Sequence, residues 1–262
     1  MKKFHLITSF PLKNEGSLDE FGTCLRLNLL NKYIDKITIM TDAFKVPTCP
    51  FISKLLNQFK IQINEFAKTD DHSIIVQKKW PQYNDLFKQA NKYKDKLSII
   101  ANGDVFFDDS LRHAEPLDWE RKLFLHITRR EASLIHDPSE NHFGIHSWKD
   151  EVKECSTDGC VNHLSLLEMN PDSFRGSADA WIFKAPIKLF GENVQIGTSF
   201  CDHAISSLAE NAGYKVRNPC LDINVNHLHA SRERHNKATE EVSYGNHIKI
   251  PYLVKPCNIK EI

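Results

Sequence analysis

Apolar and polar positions along the chain follow two alternating periods. Short apolar runs recur at Lys3–Phe10, Lys36–Thr41 (K-I-T-I-M-T), Leu97–Ala101 (L-S-I-I-A), Lys122–Thr128, Ala180–Lys184 and Leu221–His229. Runs of this length bounded by turn residues predict buried strands, and Lys60–Glu65 alternates in the manner of a half-exposed edge strand. Between them lie helical patterns. Leu18–Asn31 carries Phe21, Leu25, Leu29 and Leu30 near 3.6 spacing, and Phe51–Phe59 and Tyr83–Lys94 are two more. Cys201–Gly213 places Ala204, Leu208 and Ala212 on one face and ends at a glycine stop. Strands that alternate with helices predict an α/β fold: a mostly parallel sheet with helices on both faces. Ligands of such sheets sit beyond the carboxyl ends of the strands. The residues just past those ends are Thr8 and Ser9, Thr41 and Asp42, and Asn102 and Asp104.

The stretch from Arg129 to Phe174 is polar, His-rich and weakly periodic, which predicts a long insertion over the site, part helix and part loop. One domain over residues 1–235, with this insertion at 129–174 and a charged C-terminal extension at 236–262, accounts for the pattern. The 262 residues, 41% of them hydrophobic, suffice for one large core. Lys and Arg number 34 and Asp and Glu 34, a balance that speaks against a nucleic-acid surface or an anionic bilayer as partner. Local clusters at Arg129-Arg130 and Arg232/Arg234 remain available to a phosphate. No apolar run reaches the roughly 18 residues of a membrane span, so the expectation is at most peripheral membrane association. Phe4–Phe10 is too short for a signal peptide, contains His5, and is followed by Pro11, Lys13, Asn14 and Glu15 without a small-residue cleavage site. Seven cysteines without a C-x-x-C pair predict reduced thiols and a cytoplasmic protein. Cys155, Cys160 and His163 approach a zinc spacing but lack a fourth ligand, and a loop with two free thiols is the plainer account.

Three constellations carry chemistry. The apolar strand Leu97–Ala101 runs into Asn102-Gly103-Asp104, and an acid at such a tip calls for a positive partner. Asp104 at the strand's tip and Asn102, two residues before on the same side, present two oxygens to one point, as a hard cation such as Mg²⁺ or Mn²⁺ requires. The alternative is a strand-to-turn cap, in which both side chains bond local backbone N–H groups. Asp108 and Asp109 read as caps for a helix near Ser110. Asn226-His227-Leu228-His229 closes the last apolar strand and offers two same-face imidazoles, either a ligand to that metal or a structural hydrogen-bonding residue. Gly197–Ala204 opens a helix whose first turn holds Asp202, either stabilised there by the helix dipole or acting as a general base.

In this order, Thr8-Ser9-Phe10, Cys24–Asn31, Asn102-Gly103-Asp104, Asp179–Phe183, Cys201-Asp202-His203, Gly213-Tyr214, Asn218-Pro219 and His227-Leu228-His229 resemble glycosyltransferases of the GT-A type over residues 3–235. The likeness is greatest to a group of bacterial and large-virus sugar transferases. It implies a nucleotide-sugar donor, a glycan or other hydroxyl acceptor, and Mn²⁺ or Mg²⁺ as cofactor. Asp104 would be the retained carboxylate of the DxD metal motif, with Asn102 in place of its first Asp, and His227 or His229 the late metal ligand. Asp202 would be the base of an inverting reaction. Thr8, Ser9 and Asp42 would flank the nucleotide. A diphosphate leaving group gathers negative charge, which Arg129, Arg130, Arg175 or Lys184 could also meet. Asp179 is a candidate acceptor for a sugar hydroxyl. Trp181 is read either as a stacking platform for a sugar or as core. A nucleotidyltransferase is the enzymatic rival, but it calls for a Gly-rich, basic loop where Pro11–Gly16 has one glycine. A non-catalytic sugar- or nucleotide-binding module is the other, and the retention of Asp104, Asp202 and both late histidines speaks against it.

Overall fold

A computed structural model of the chain describes residues 3–10, 18–41, 72–134, 152–154, 178–188, 191, 193–228 and 254–262. Asp42, His229, the helix expected at 51–59, the strand expected at 60–65, the loop 11–16, Arg175 and the Cys155/Cys160/His163 cluster lie outside the described residues.

Eleven strands are described, in two sheets. β1 (Phe4–Ser9), β2 (Ile34–Thr41), β3 (His72–Val76), β4 (Leu97–Asn102), β6 (Leu123–Thr128), β9 (Ala178–Lys184) and β10 (Lys215–Arg217) form the larger, in the order β10-β6-β9-β4-β1-β2-β3. Every neighbouring pair runs parallel except those of β9, which is antiparallel to both β4 and β6. The smaller sheet has the order β5-β11-β7-β8, from β5 (Val105–Phe107), β7 (Arg130–Leu134), β8 (Val152–Glu154) and β11 (Val225–Leu228). Of the stretch after Arg129, the described residues contribute strands β7 and β8; the rest of the expected insertion lies outside the described residues. β3 supplies the third parallel strand; its half-buried H-S-I-I-V pattern gives little contrast in sequence.

Strand alternation divides the larger sheet into two faces. Phe4, Leu6, Ile37, Ile99, Leu125 and Ile182 meet Phe21 and Leu25 of helix α1 (Leu18–Leu30). Ile7, Met40, Ile100, Phe124, Trp181 and Phe183 meet α2 (Tyr83–Ala90) and α3 (Cys201–Asn211) on the other. Helix α3 stops where the sequence predicts, with Gly213 at φ 89°. The end of the C-terminal extension folds back on the body. Pro256 bridges Asn218, and Ile259 and Ile262 join the first core. No helix among the described residues is long and apolar enough to cross a membrane.

Two core positions are histidines. His5 Nε2 lies 2.8 Å from Thr38 Oγ1, which continues to Ser73 Oγ at 2.9 Å and links β1, β2 and β3. His126 Nδ1 lies 2.6 Å from Ser206 Oγ, tying β6 to α3. Burial lowers both pKa values to about 3, helped by Lys36 at His5 and by His203 at His126. Each stays neutral in the folded protein while the unfolded chain takes a proton below the ordinary value of about 6.5. Stability is therefore complete above about pH 6.5 and falls by about 1.4 kcal/mol per pH unit per histidine as pH drops toward 3. Urea unfolding of His5→Gln across pH 4–6.5 should give a slope shallower by about that amount than the wild type. Parallel slopes would show that His5 is not the buried neutral group described.

Candidate active site

The carboxyl ends of β1, β4 and β6 and the start of β9 converge. Residues 103 and 104 form a turn between β4 and β5, and that turn carries Asp104 toward the smaller sheet. There His227 is paired with Val105 across the β11–β5 ladder, and Leu228 N donates to the Asp104 backbone O at 2.9 Å. The His227 Nε2 to Asp104 Oδ2 distance is 3.2 Å. The other carboxylate oxygen, Oδ1, is buried without a hydrogen-bond partner. Burial pushes the Asp104 pKa up, but His227 and then Arg129 pull harder, and the net value lies below the ordinary carboxylate range. Asp104 is thus held as an anion with one oxygen unspent.

Beside it runs a polar row across three strand ends. Asn102 Nδ2 donates to Asp179 Oδ1 at 2.6 Å, and Arg129 donates to Asp179 Oδ2 at 2.9 Å. Asp202, in the first turn of α3, accepts from Ala178 N at 3.0 Å, so the helix is fastened to the residue preceding Asp179. Burial raises the Asp202 pKa; the neighbouring His203 opposes this and Asp179 adds to it.

No protein-family model matches the sequence, and no curated protein matches it. Solved structures do. A mannosyltransferase from Pyrobaculum calidifontis, in complex with GDP-Man and Mn²⁺, superposes with a TM-score of 0.51 at 11% identity, over 89% of this chain and 58% of that one. GalNAc-T7 with UDP, GalNAc and Mn²⁺ also gives 0.51 at 11% identity, over 88% of this chain and 45% of that one. The chain has the GT-A fold. It spans about half the length of the solved structures it matches.

Within this GT-A frame, several expected residues meet and others do not. Asp104, His227, Asn102, Asp179, Arg129 and Asp202 line one end of the sheet. Thr8 and Ser9 stand beside them, buried at the end of β1 and in register with Ala101 and Asn102. Asn102 and Asp104 take different partners: the strand ends at Asn102, whose Nδ2 bonds Asp179, and the turn carries Asp104 to His227. Trp181 is not a sugar platform. Its ring is fully buried, edge-on to Tyr83, and Nε1 donates to Ser206 Oγ at 3.2 Å. Lys184 ends β9, and because β9 is antiparallel it lies at the opposite end of the sheet, paired with Glu120 and Asp95. Asp108 caps as expected, accepting from Ser110 N at 2.9 Å, although the helix it opens is 3₁₀.

Three positioning residues escaped the sequence reading. Asn28 of α1 mimics a strand partner for β5: its Nδ2 donates to Val105 O at 2.9 Å and its Oδ1 accepts from Phe107 N at 3.1 Å. Asn31 Nδ2 adds a bond to Phe107 O at 3.0 Å. Asn28 within α1 and Asn31 just past its end, both buried, were the available signal. Gly103 is the third. A Cβ there would lie 2.6 Å from Phe10 Cδ1, 2.7 Å from Phe21 Cδ1 and 2.7 Å from Ser9 O. The glycine lets the turn press against the tip of β1. Gly103→Ala should therefore lower stability by about 1–3 kcal/mol in urea unfolding, the usual cost of overpacking. An unchanged midpoint would contradict this close approach.

Proposed function

We propose that the chain is a metal-dependent glycosyltransferase that moves a sugar from a nucleotide-sugar donor to a hydroxyl acceptor with inversion at the anomeric carbon. The observation that carries this reading is Asp104: a half-buried, ionised carboxylate whose buried Oδ1 has no hydrogen-bond partner among the described residues, beside an imidazole, at the ligand-binding end of a GT-A sheet. The two GT-A structures above each hold Mn²⁺ with a nucleotide. One carboxylate and one imidazole fit Mn²⁺ better than Mg²⁺, which favours an all-oxygen shell. Among the described residues no third His, Cys, Asp or Glu joins them, which suits an ion that shares its shell with substrate phosphates. His229 remains a further candidate ligand. Bound there, the ion would stabilise the charge that gathers on the diphosphate as the glycosidic bond breaks.

The chain's own groups divide the remaining work. Thr8 and Ser9, with Asp42, flank the nucleotide. Asn102 and Arg129 hold Asp179 rigid to accept a hydroxyl of the donor sugar, and Arg129 adds positive charge near the phosphates. Asp202 takes the proton from the acceptor hydroxyl, the freed oxygen bonds to the anomeric carbon, and the nucleoside diphosphate leaves on the opposite face. Its raised pKa makes it a stronger base than an ordinary carboxylate, provided it is deprotonated.

Mn²⁺ together with UDP or GDP should raise the melting temperature of the wild type, since a ligand of the native state stabilises it. Asp104→Asn should lose that shift, and wild-type activity should vanish in excess EDTA. Full activity in either test would remove the metal from the reaction. Asp202→Asn should keep the nucleotide shift and lose turnover by about 10²–10⁴-fold. The acid limb of the wild-type kcat/KM profile should lie above the ordinary carboxylate value of about 4, because activity disappears as Asp202 takes up its proton. A product that retains the donor's anomeric configuration would refute the assignment of Asp202.

A further inference from the structure

We propose that Phe200 forms the floor of an acceptor subsite for a pyranose ring, so that the acceptor is a carbohydrate and not a simple alcohol or a polypeptide hydroxyl. This deepens, and rests on, the glycosyltransferase reading above. Phe200 immediately precedes α3, and three features set it apart.

Its backbone is left-handed, with φ 59° and ψ 16°, a conformation that suits glycine and is unusual for an aromatic residue. The loop imposes it from both sides. Trp80 Nε1 donates to Ile196 O at 3.1 Å, Thr198 Oγ1 donates to Gln195 O at 2.8 Å, Gln195 bridges Gln82, and Ala204 N donates to Phe200 O at 3.0 Å. A backbone held this firmly in a sparsely populated region points to a use for the residue it carries.

The second feature is exposure. Phe200 is 49% exposed, and among the described residues only Leu30 and Leu221 are comparably exposed large hydrophobic side chains. Leu30 ends α1 and Leu221 lies in the turn before β11; neither belongs to the row of residues at the site. The third is location. The Phe200 ring meets the edge of His203 at a centroid distance of 5.6 Å and 70°, and His203 Nε2 is 3.8 Å from Asp202 Oδ2. These contacts fix the ring within the span of a disaccharide from the carboxylate assigned as base.

The chemistry recognises one class of ligand. The face of an aromatic ring carries partial negative charge and attracts polarised C–H groups. A pyranose presents several axial C–H bonds on one flat side, with hydroxyls at its rim. Stacked on Phe200, it would direct a rim hydroxyl toward Asp202.

Saturation-transfer NMR with methyl galactoside, glucoside, mannoside and N-acetylglucosaminide, in the presence of Mn²⁺ and UDP or GDP, tests this without turnover. At least one pyranoside should show strongest saturation on the C–H protons of a single face. The pattern should vanish in Phe200→Gly and persist in Phe200→Trp. Phe200→Gly should melt no lower than the wild type and keep the nucleotide-induced shift, and in transfer assays its acceptor KM should rise about tenfold with kcat within twofold. If the wild type binds the nucleotide but the pyranoside pattern is absent, or survives in Phe200→Gly, the acceptor proposal falls and the donor reading stands. If Phe200→Gly melts far below the wild type, the ring is packing and the proposal also falls. If the wild type shows no nucleotide shift, the glycosyltransferase reading fails, while the pyranoside pattern still decides the role of Phe200.

Discussion

The arrangement at the sheet end depends on keeping the half-buried Asp104 carboxylate ionised with one of its oxygens out of water. A buried unpaired carboxylate is costly by several kcal/mol and ordinarily picks up a proton instead. Here His227 and the field of Arg129 outweigh that cost and hold the group as an anion. The pairing joins residues 123 positions apart, so it makes demands on the chain at both ends. β11 must lie against β5 to deliver the imidazole. β5, only three residues long, gains a second set of hydrogen bonds from Asn28 of α1 and from Asn31 just past its end. Gly103 must be small enough to let the turn reach its place against Ser9 and Phe10. None of these residues touches the carboxylate, yet each fixes where it points.

The same end of the sheet holds a second carboxylate with the opposite bias. Asp104 is pulled below the ordinary range by its charged neighbours, whereas Asp202 is pushed above it by burial and by Asp179. Carboxylates driven apart in this way serve different roles, one as a fixed anion and the other as a group that exchanges a proton. Asp179 stands between them, its two oxygens already engaged by Asn102 and Arg129. That double engagement restrains it in rotation, as the role proposed for it, orienting a sugar, requires.

The strands that were legible in the sequence are those buried on both faces, β1, β2, β4, β6 and β9, because continuous apolar runs leave few other solutions. Helix α3 was equally clear from its apolar stripe and its glycine stop. What was not legible shares a physical cause. β5, β7, β8 and β10 have three to five residues, too few to establish a period, and their partners are remote in sequence. Asp104 and His227, the residues proposed to hold the metal, could be nominated from their positions at strand ends. The expectation that Asn102 shares a point with Asp104 relied on alternation continuing past Asn102, where a two-residue turn follows and the two side chains take different partners.

Trp181 shows what alternation alone omits. Strict alternation would put Asp179, Trp181 and Phe183 on one face of β9, but the register with β6 shifts between Ala180 and Ala178, an irregularity at Asp179 itself. Asp179, buried near the start of the strand, meets Asn102 and Arg129. Trp181 lies two residues deeper, where Tyr83 of α2 and Ser206 of α3 close over the ring. Their partners separate them: Asp179 is engaged by side chains from neighbouring strand ends, Trp181 by the helices packed on the sheet. Helix α3 begins at Cys201, and Asp202 bonds back to Ala178 N, so its N-terminal edge reaches the first residue of β9 and both side chains are buried. Deeper in the sheet buried polar groups satisfy one another, His126 with Ser206 and His5 with Thr38.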